Sequence, residues 1–378
     1  MKGGWPYFNL ITFTNSIVLH LRVIIKEYKR RFNMKTRITE LFRIKYPILL
    51  SGMSWISLPK LVAAVSNAGG LGMFAVGPMS PEETRETIQE IRKLTKKPFG
   101  ANATLIYPDA AQSVAVLLEE KIPIINFSLG KGDWIVKAAH EYGGKVLATV
   151  VMHKHAKRAE DYGCDGLIVT GHEAAAHGGD VTSLVLIPSI VDSVKIPVIA
   201  AGGFCDGRGL ISALALGAEG IAMGTRFINT QESPLHGNYK QLSMKKEVYD
   251  TLYSTRFDGL PCRLMKTEES ERIIKKGPSI RKALLNSTKI AKMLNIPYFK
   301  LLLGVLFSGR ENAKKLIYMS SAFDTIQNAI EKGDTEKGVL LVGQVVGRIN
   351  SIPKVSEVIK TIMKEARDAQ KRLLNISA

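Results

Sequence analysis

The sequence predicts an α/β chain folded as a (β/α)8 TIM barrel, with an inserted, mainly helical subdomain after strand 8. Three observations predict it. Short apolar, β-rich runs recur about every 25 residues, each followed by a glycine or polar loop and then a stretch with helical period. The runs are apolar throughout instead of alternating, as strands buried on both faces are. Eight of them occur, the number that closes such a barrel, and each interval has room for the crossover helix that a parallel strand requires.

The runs begin near Pro47 (PILLSGM), Leu71 (LGMFAVG), Pro98 (PFGANATL), Ile122 (IPIINFSLG), Lys145 (KVLATVV), Asp165 (DGLIVTG), Ile196 (IPVIAAGG) and Glu219 (EGIAMGTRF). Helical stretches are expected between them at 59–67, 81–94, 109–120, 131–142, 153–162, 183–194 and 207–216. The alternative, a doubly wound open sheet, would carry Gly-x-Gly-x-x-Gly after its first strand. The loop there reads Ser51-Gly52-Met53-Ser54-Trp55, without that spacing. Beyond Phe227 the βα rhythm stops. A lysine-rich, helix-like segment at 236–335 is read as the insertion, and 338–346 then leads into a last amphipathic helix at 355–372. The barrel is thus expected from 34–235 plus 336–378, with Thr36 or Thr39 capping a short helix before the first strand.

The composition excludes disordered and fibrous classes: 378 residues, 46% hydrophobic and 23% charged, supply a large core. The formal charge of +18 raises anionic partners, but the pairs Lys245-Lys246, Lys275-Lys276 and Lys314-Lys315 are not interleaved with aromatics and read as solvated helix faces, so no nucleic acid is expected. Residues 1–33 are broken by Asn9, Thr12, Asn15, His20 and Arg22, fit neither a membrane span nor a secretory signal, and are read as an extension outside the core fold. Three scattered cysteines, Cys164, Cys205 and Cys262, suit a reducing cytoplasm and make no Cys-x-x-Cys metal site. A homodimer is allowed for.

In barrels of this kind phosphates settle in the loops after strands seven and eight. Both loops carry glycine here, in Ala201-Gly202-Gly203-Phe204 and Ala222-Met223-Gly224-Thr225, where backbone N–H groups and the Thr225 hydroxyl can meet an anion. The loop after strand six reads Thr170-Gly171-His172-Glu173-Ala174-Ala175-Ala176-His177-Gly178-Gly179. Its two histidines are five apart rather than four, which argues against a zinc protease helix, and no metal is expected. A neutral imidazole at a strand's C-terminal end suits proton transfer near pH 7, so His177 is the candidate base and His172 the structural histidine. Asn102, at the end of strand three, either contacts a flat heterocycle or serves the turn.

These motifs, SGMSW, NAGGLG, PFGANATL, GHEAAAHGG, IPVIAAGGFCDGRG and MGTRF, resemble the FMN-dependent nitronate monooxygenases, once called 2-nitropropane dioxygenases, whose relatives include the FMN-dependent enoyl-ACP reductase and NADH:quinone reductases. The resemblance implies non-covalent FMN, with the ring near Gly52, Met53, Ser54 and Asn102, the phosphate at Gly203, Ala222, Met223, Gly224 and Thr225, and Thr170 and Ala175 in further contact. His177 matches the catalytic histidine. Thr170 stands where the family usually has Gln or Glu, and Ala175-Ala176 where it has Gly-Gly. The implied reaction is oxidation of an anionic alkyl nitronate by O2 to a carbonyl compound and nitrite. The alternative is an NAD(P)H-dependent flavin reductase of enoyl thioesters or quinones.

Overall fold

Parallel pairing runs right round one sheet. The computed structural model describes residues 34–107, 109–277 and 309–376. The chain divides into two units, Met1–Lys35 and Thr36–Ala378, and all elements named below belong to the second. The expected extension at 1–33 lies outside the described residues.

Eight strands, β1 (Ile48–Leu50), β2 (Gly72–Ala75), β3 (Phe99–Thr104), β4 (Ile124–Ser128), β5 (Lys145–Val150), β6 (Gly166–Thr170), β7 (Val198–Ala201) and β8 (Gly220–Met223), pair in the order β1-β8-β7-β6-β5-β4-β3-β2. A parallel bridge between Leu49 and Leu71, with Leu50 N–H donating to Leu71 O at 2.9 Å, joins the two ends into a ring. This is the expected (β/α)8 barrel.

Helices α1 (Arg37–Phe42), α2 (Pro59–Asn67), α3 (Pro81–Leu94), α4 (Ala110–Glu119), α5 (Asp133–Glu141), α6 (His153–Asp161), α7 (Ser183–Val191) and α8 (Gly207–Ala215) fall within a few residues of the expected stretches. Their ends follow local chemistry. Thr36 caps α1 and Ser80 caps α3, each in a reciprocal capping box, and Pro81 opens α3 where a missing N–H costs nothing. Ile38 and Phe42 of α1 join the cluster of Leu49, Leu71, Met73, Ile124, Leu147, Ile168 and Ile199, so α1 plugs the barrel at the end where its strands begin. The opposite end, where the strands finish, is left for the loops.

After β8 come α9 (Thr225–Ile228), α10 (Gly237–Ser243), β9 (Thr251–Ser254), β10 (Cys262–Met265), α11 (Glu268–Lys276), α12 (Gly309–Ile330), a 3-10 turn at Gln344–Arg348 and α13 (Val355–Ile376). The antiparallel hairpin β9–β10 departs from the mainly helical expectation for 236–335. Its strands have four residues each, too short to impose a period on the sequence, and β10 is completed by pairing with a distant loop. Residues 278–308 of that segment lie outside the described residues.

The last helix closes the barrel wall by packing on α8. A Cβ on Gly207 would lie 2.2 Å from Ala366 N and 2.4 Å from Ile362 O, and Gly207 N–H donates to Glu365 Oε2 at 2.9 Å. We expect Gly207→Ala to force the two helices apart and to cost about 1–3 kcal/mol, read as a lower urea midpoint at unchanged slope.

Candidate active site

A cavity of about 770 Å³ opens where the strands end, and all twelve site residues expected from the sequence line it. They come from the ends of five strands, β1, β3, β6, β7 and β8, and the loops that follow them, so closure of the barrel is what gathers them. On one side, Gly52 lies against Asn102: a Cβ there would fall 2.3 Å from Asn102 Cβ, so only glycine lets the loop after β1 approach β3. Asn126 on β4, paired in register with Asn102, donates its amide to Asn102 Oδ1 at 2.5 Å and to Thr149 Oγ1 at 2.9 Å. This polar ladder inside the barrel fixes the Asn102 amide and leaves its Nδ2 without an acceptor among the described residues. Tyr107 hydrogen-bonds with Ser54; burial, with the Asp258 charge adding, pushes its phenol up to about 12, which keeps it a proton donor.

On the other side lie the loops after β7 and β8. Gly202 and Gly203 both take positive φ (91° and 84°), a turn that places the backbone itself at the cavity wall. The N–H groups of Gly203, Gly224 and Thr225 have no acceptor among the described residues. Thr225 Oγ1 accepts from Gly343 N–H at 2.9 Å and retains its own proton to donate. Unpartnered donors on these two loops suit a phosphate, and the open Asn102 amide suits the edge of a heterocycle; the residues present fit the expected FMN.

His177 stands on the loop after β6. Its Nε2 lies 2.8 Å from Asp258 Oδ2, and the other Asp258 oxygen accepts Leu260 N–H at 3.0 Å. Asp258 sits at the turn of the β9–β10 hairpin, and both side chains are partly exposed. The two loops are held together by backbone: Ala176 N–H donates to Arg263 O at 3.1 Å and Arg263 N–H to Ala176 O at 3.0 Å. The buried Arg263 guanidinium donates from Nε and Nη2 to His172 O, both at 3.0 Å. His172 Nδ1 meets Gly179 O at 2.9 Å and its ring packs on Tyr253, which is the structural role expected of it. Ala176 takes φ 52°, a left-handed conformation in which an alanine costs roughly 1–2 kcal/mol, at a position where the resembling family has glycine.

Asp258 was not among the residues expected from the sequence. Its signal was present: Asp258-Gly259 between two short β-rich runs is a hairpin mark, and Gly259 has φ 91°. The apolar wall was missed as well. Phe323, Ile326 and Ile330 of α12 line the cavity; the Phe323 ring stacks on Tyr107 (6.1 Å between centroids) and meets Trp55 edge-on (5.5 Å). Nothing in the period of α12 marks it as a cavity wall.

A profile of the nitronate monooxygenase family matches residues 35–113 and 106–365. The chain is 35% identical over 342 residues to (3aS,4S,5R,7aS)-5-hydroxy-7a-methyl-1-oxo-octahydro-1H-indene-4-carboxyl-CoA dehydrogenase of Mycobacterium tuberculosis, covering 88% of this chain and 96% of that one. It is 30% identical over 282 residues to a probable nitronate monooxygenase of Staphylococcus saprophyticus, covering 62% and 79%. Among solved structures, FabK from Thermotoga maritima superposes with a TM-score of 0.76 at 36% identity, over 90% of this chain and 99% of that one. All are oxidoreductases, and the family works with flavin. The chain belongs to the nitronate monooxygenase family of flavin-dependent oxidoreductases.

Proposed function

We propose that the protein is an FMN-dependent oxidoreductase acting on an acyl thioester, with NAD(P)H as its reductant and His177 as the group that moves a proton at a carbon near the thioester carbonyl. The observation that carries this reading is the His177–Asp258 pair in the same cavity as the unpartnered donors of the β7 and β8 loops. Gly203, Gly224 and Thr225 would hold the phosphate, and Asn102 would donate to the ring. Bound FMN supplies the electron transfer that no side chain can.

The chain's own residues supply the rest. An ionised Asp258 accepts a hydrogen bond only, so His177 Nε2 carries the proton of their 2.8 Å contact and Nδ1 is left as the base. The carboxylate stabilises the imidazolium that forms when Nδ1 takes a proton, and fixes the ring for the return step. Tyr107 is a fixed donor rather than a second base. Phe323, Ile326 and Ile330 cover the site with apolar surface and keep water from the reacting carbon. About 770 Å³ lies in the upper part of the usual range for small-molecule sites, roughly 300–1,000 Å³, and gives room for an acyl chain beside a flavin.

Support for a thioester over a nitronate comes from likeness and from the loop after β6. The carboxyl-CoA dehydrogenase relative is matched along 88% of this chain, the nitronate monooxygenase relative along 62%. Thr170 and Ala175-Ala176 depart from the residues usual in the nitronate enzymes at that loop. The second reading, oxidation of an alkyl nitronate by O2, rests on the family profile. Anaerobic mixing separates them. We expect NADH or NADPH to bleach the bound flavin and crotonyl-CoA to restore its colour; aerobic nitrite release from a nitronate, with no bleaching by either nucleotide, would overturn the thioester reading.

Two substitutions test the assignments. His177→Ala should lower turnover by about 10²–10⁴ with flavin still bound, and Asp258→Asn by at least about tenfold with an altered pH–rate profile, because the amide leaves the imidazole in the wrong tautomer. Thr225→Val removes a donor to the phosphate and the acceptor of Gly343 N–H; FMN should then dissociate about tenfold more readily in equilibrium dialysis.

A further inference from the structure

Cys262 is a fully buried thiol that the chemistry above does not use. Its place follows from register. The antiparallel bridge sets Ala176 opposite Arg263, and the chains run in opposite directions, so the next residue on one side, His177, comes beside the preceding residue on the other, Cys262. Asp258 reaches the same point from the hairpin turn, four residues earlier, and hydrogen-bonds with the Cys262 thiol. One ligand atom each from His177, Asp258 and Cys262 lie within 4.8 Å of one another.

That set combines an imidazole, a carboxylate and a thiol. Zn²⁺ binds such ligands at about 2.0–2.3 Å in a tetrahedron, which places them about 3.3–3.8 Å apart. The cluster needs to tighten only modestly to reach that spacing, and the backbone pairing already holds two of its members. The cavity is lined by His177 and Asp258, so an ion reaches the cluster from that side.

We propose that His177, Asp258 and Cys262 form a site for a single thiophilic divalent cation of the Zn²⁺ type. Binding displaces the thiol proton of Cys262 to solvent, while the proton that His177 Nε2 shares with Asp258 is exchanged for one on Nδ1, so the imidazole binds as the neutral ligand. The imidazole nitrogen that faces Asp258 becomes a metal ligand, so metal occupancy and the His177–Asp258 pair exclude each other. The cation is an inhibitor of the site rather than part of its chemistry, and its binding does not depend on which substrate the protein uses.

The test is titration of Zn²⁺ into the flavin-loaded protein by calorimetry. We expect one strong event per chain, weakened at least about tenfold by Cys262→Ser and unchanged by Cys164→Ser, a buried thiol elsewhere in the barrel. Should the Cys262 variant fail to fold, the unsubstituted protein still decides: Cd²⁺ should raise an ultraviolet thiolate-to-metal absorption with a one-to-one end point. Zn²⁺ binding by Cys262→Ser equal to that of the unsubstituted protein, or Cd²⁺ binding without thiolate absorption, would overturn the proposal.

Discussion

Closure of the sheet through β1 is the constraint on which everything else depends. β1 has only three residues, yet it pairs with β8 along Ile48–Ile221, Leu49–Ala222 and Leu50–Met223 and meets β2 through Leu49 and Leu71. A parallel sheet left open at that point would expose two rows of unpaired backbone groups. Closed, it has no edge, and every strand finishes on one rim. Residues far apart in the chain, such as Asn102 and Thr225, then face one cavity because the ring leaves their loops nowhere else to go.

The rim would still be soft if the loops stood alone. The loop after β6 is held from two sides. The β9–β10 hairpin pairs with it through Ala176 and Arg263, and the tail beyond α12 pairs with it through Gln344 N–H to Glu173 O at 3.0 Å. Glu173 also turns its carboxylate to Ser183 N–H, at 3.1 and 2.9 Å, and so stabilises the start of α7. His177 is therefore carried on a loop with backbone restraints along its length, which is the preorganisation that the proposed proton transfer needs. Ala176 bears the conformational cost of that path.

Charge has a smaller part than the net +18 suggests. The contacts around His177 rest on its own imidazole and the Asp258 carboxylate, with Arg263 buried as a brace under His172, while Lys131, Arg158 and Glu173 also line the cavity. No helix among the described residues is long and apolar enough to cross a membrane.

The sequence by itself determined the barrel, because eight apolar runs at a steady interval leave one economical way to bury both faces of each strand. It also marked Gly203, Gly224 and Thr225, since backbone donors at a close approach need glycine or a small hydroxyl wherever they occur, and it singled out His177 by residue type and strand end. Asp258, Tyr107, Phe323 and Cys262 were decided only by tertiary structure. Their neighbours in space come from other loops, and no local period, cap or turn records a contact between residues about eighty apart, as His177 and Asp258 are. The hairpin turn at Asp258-Gly259 was legible; the imidazole it would meet was not, because that meeting depends on the register of β10 against the loop after β6.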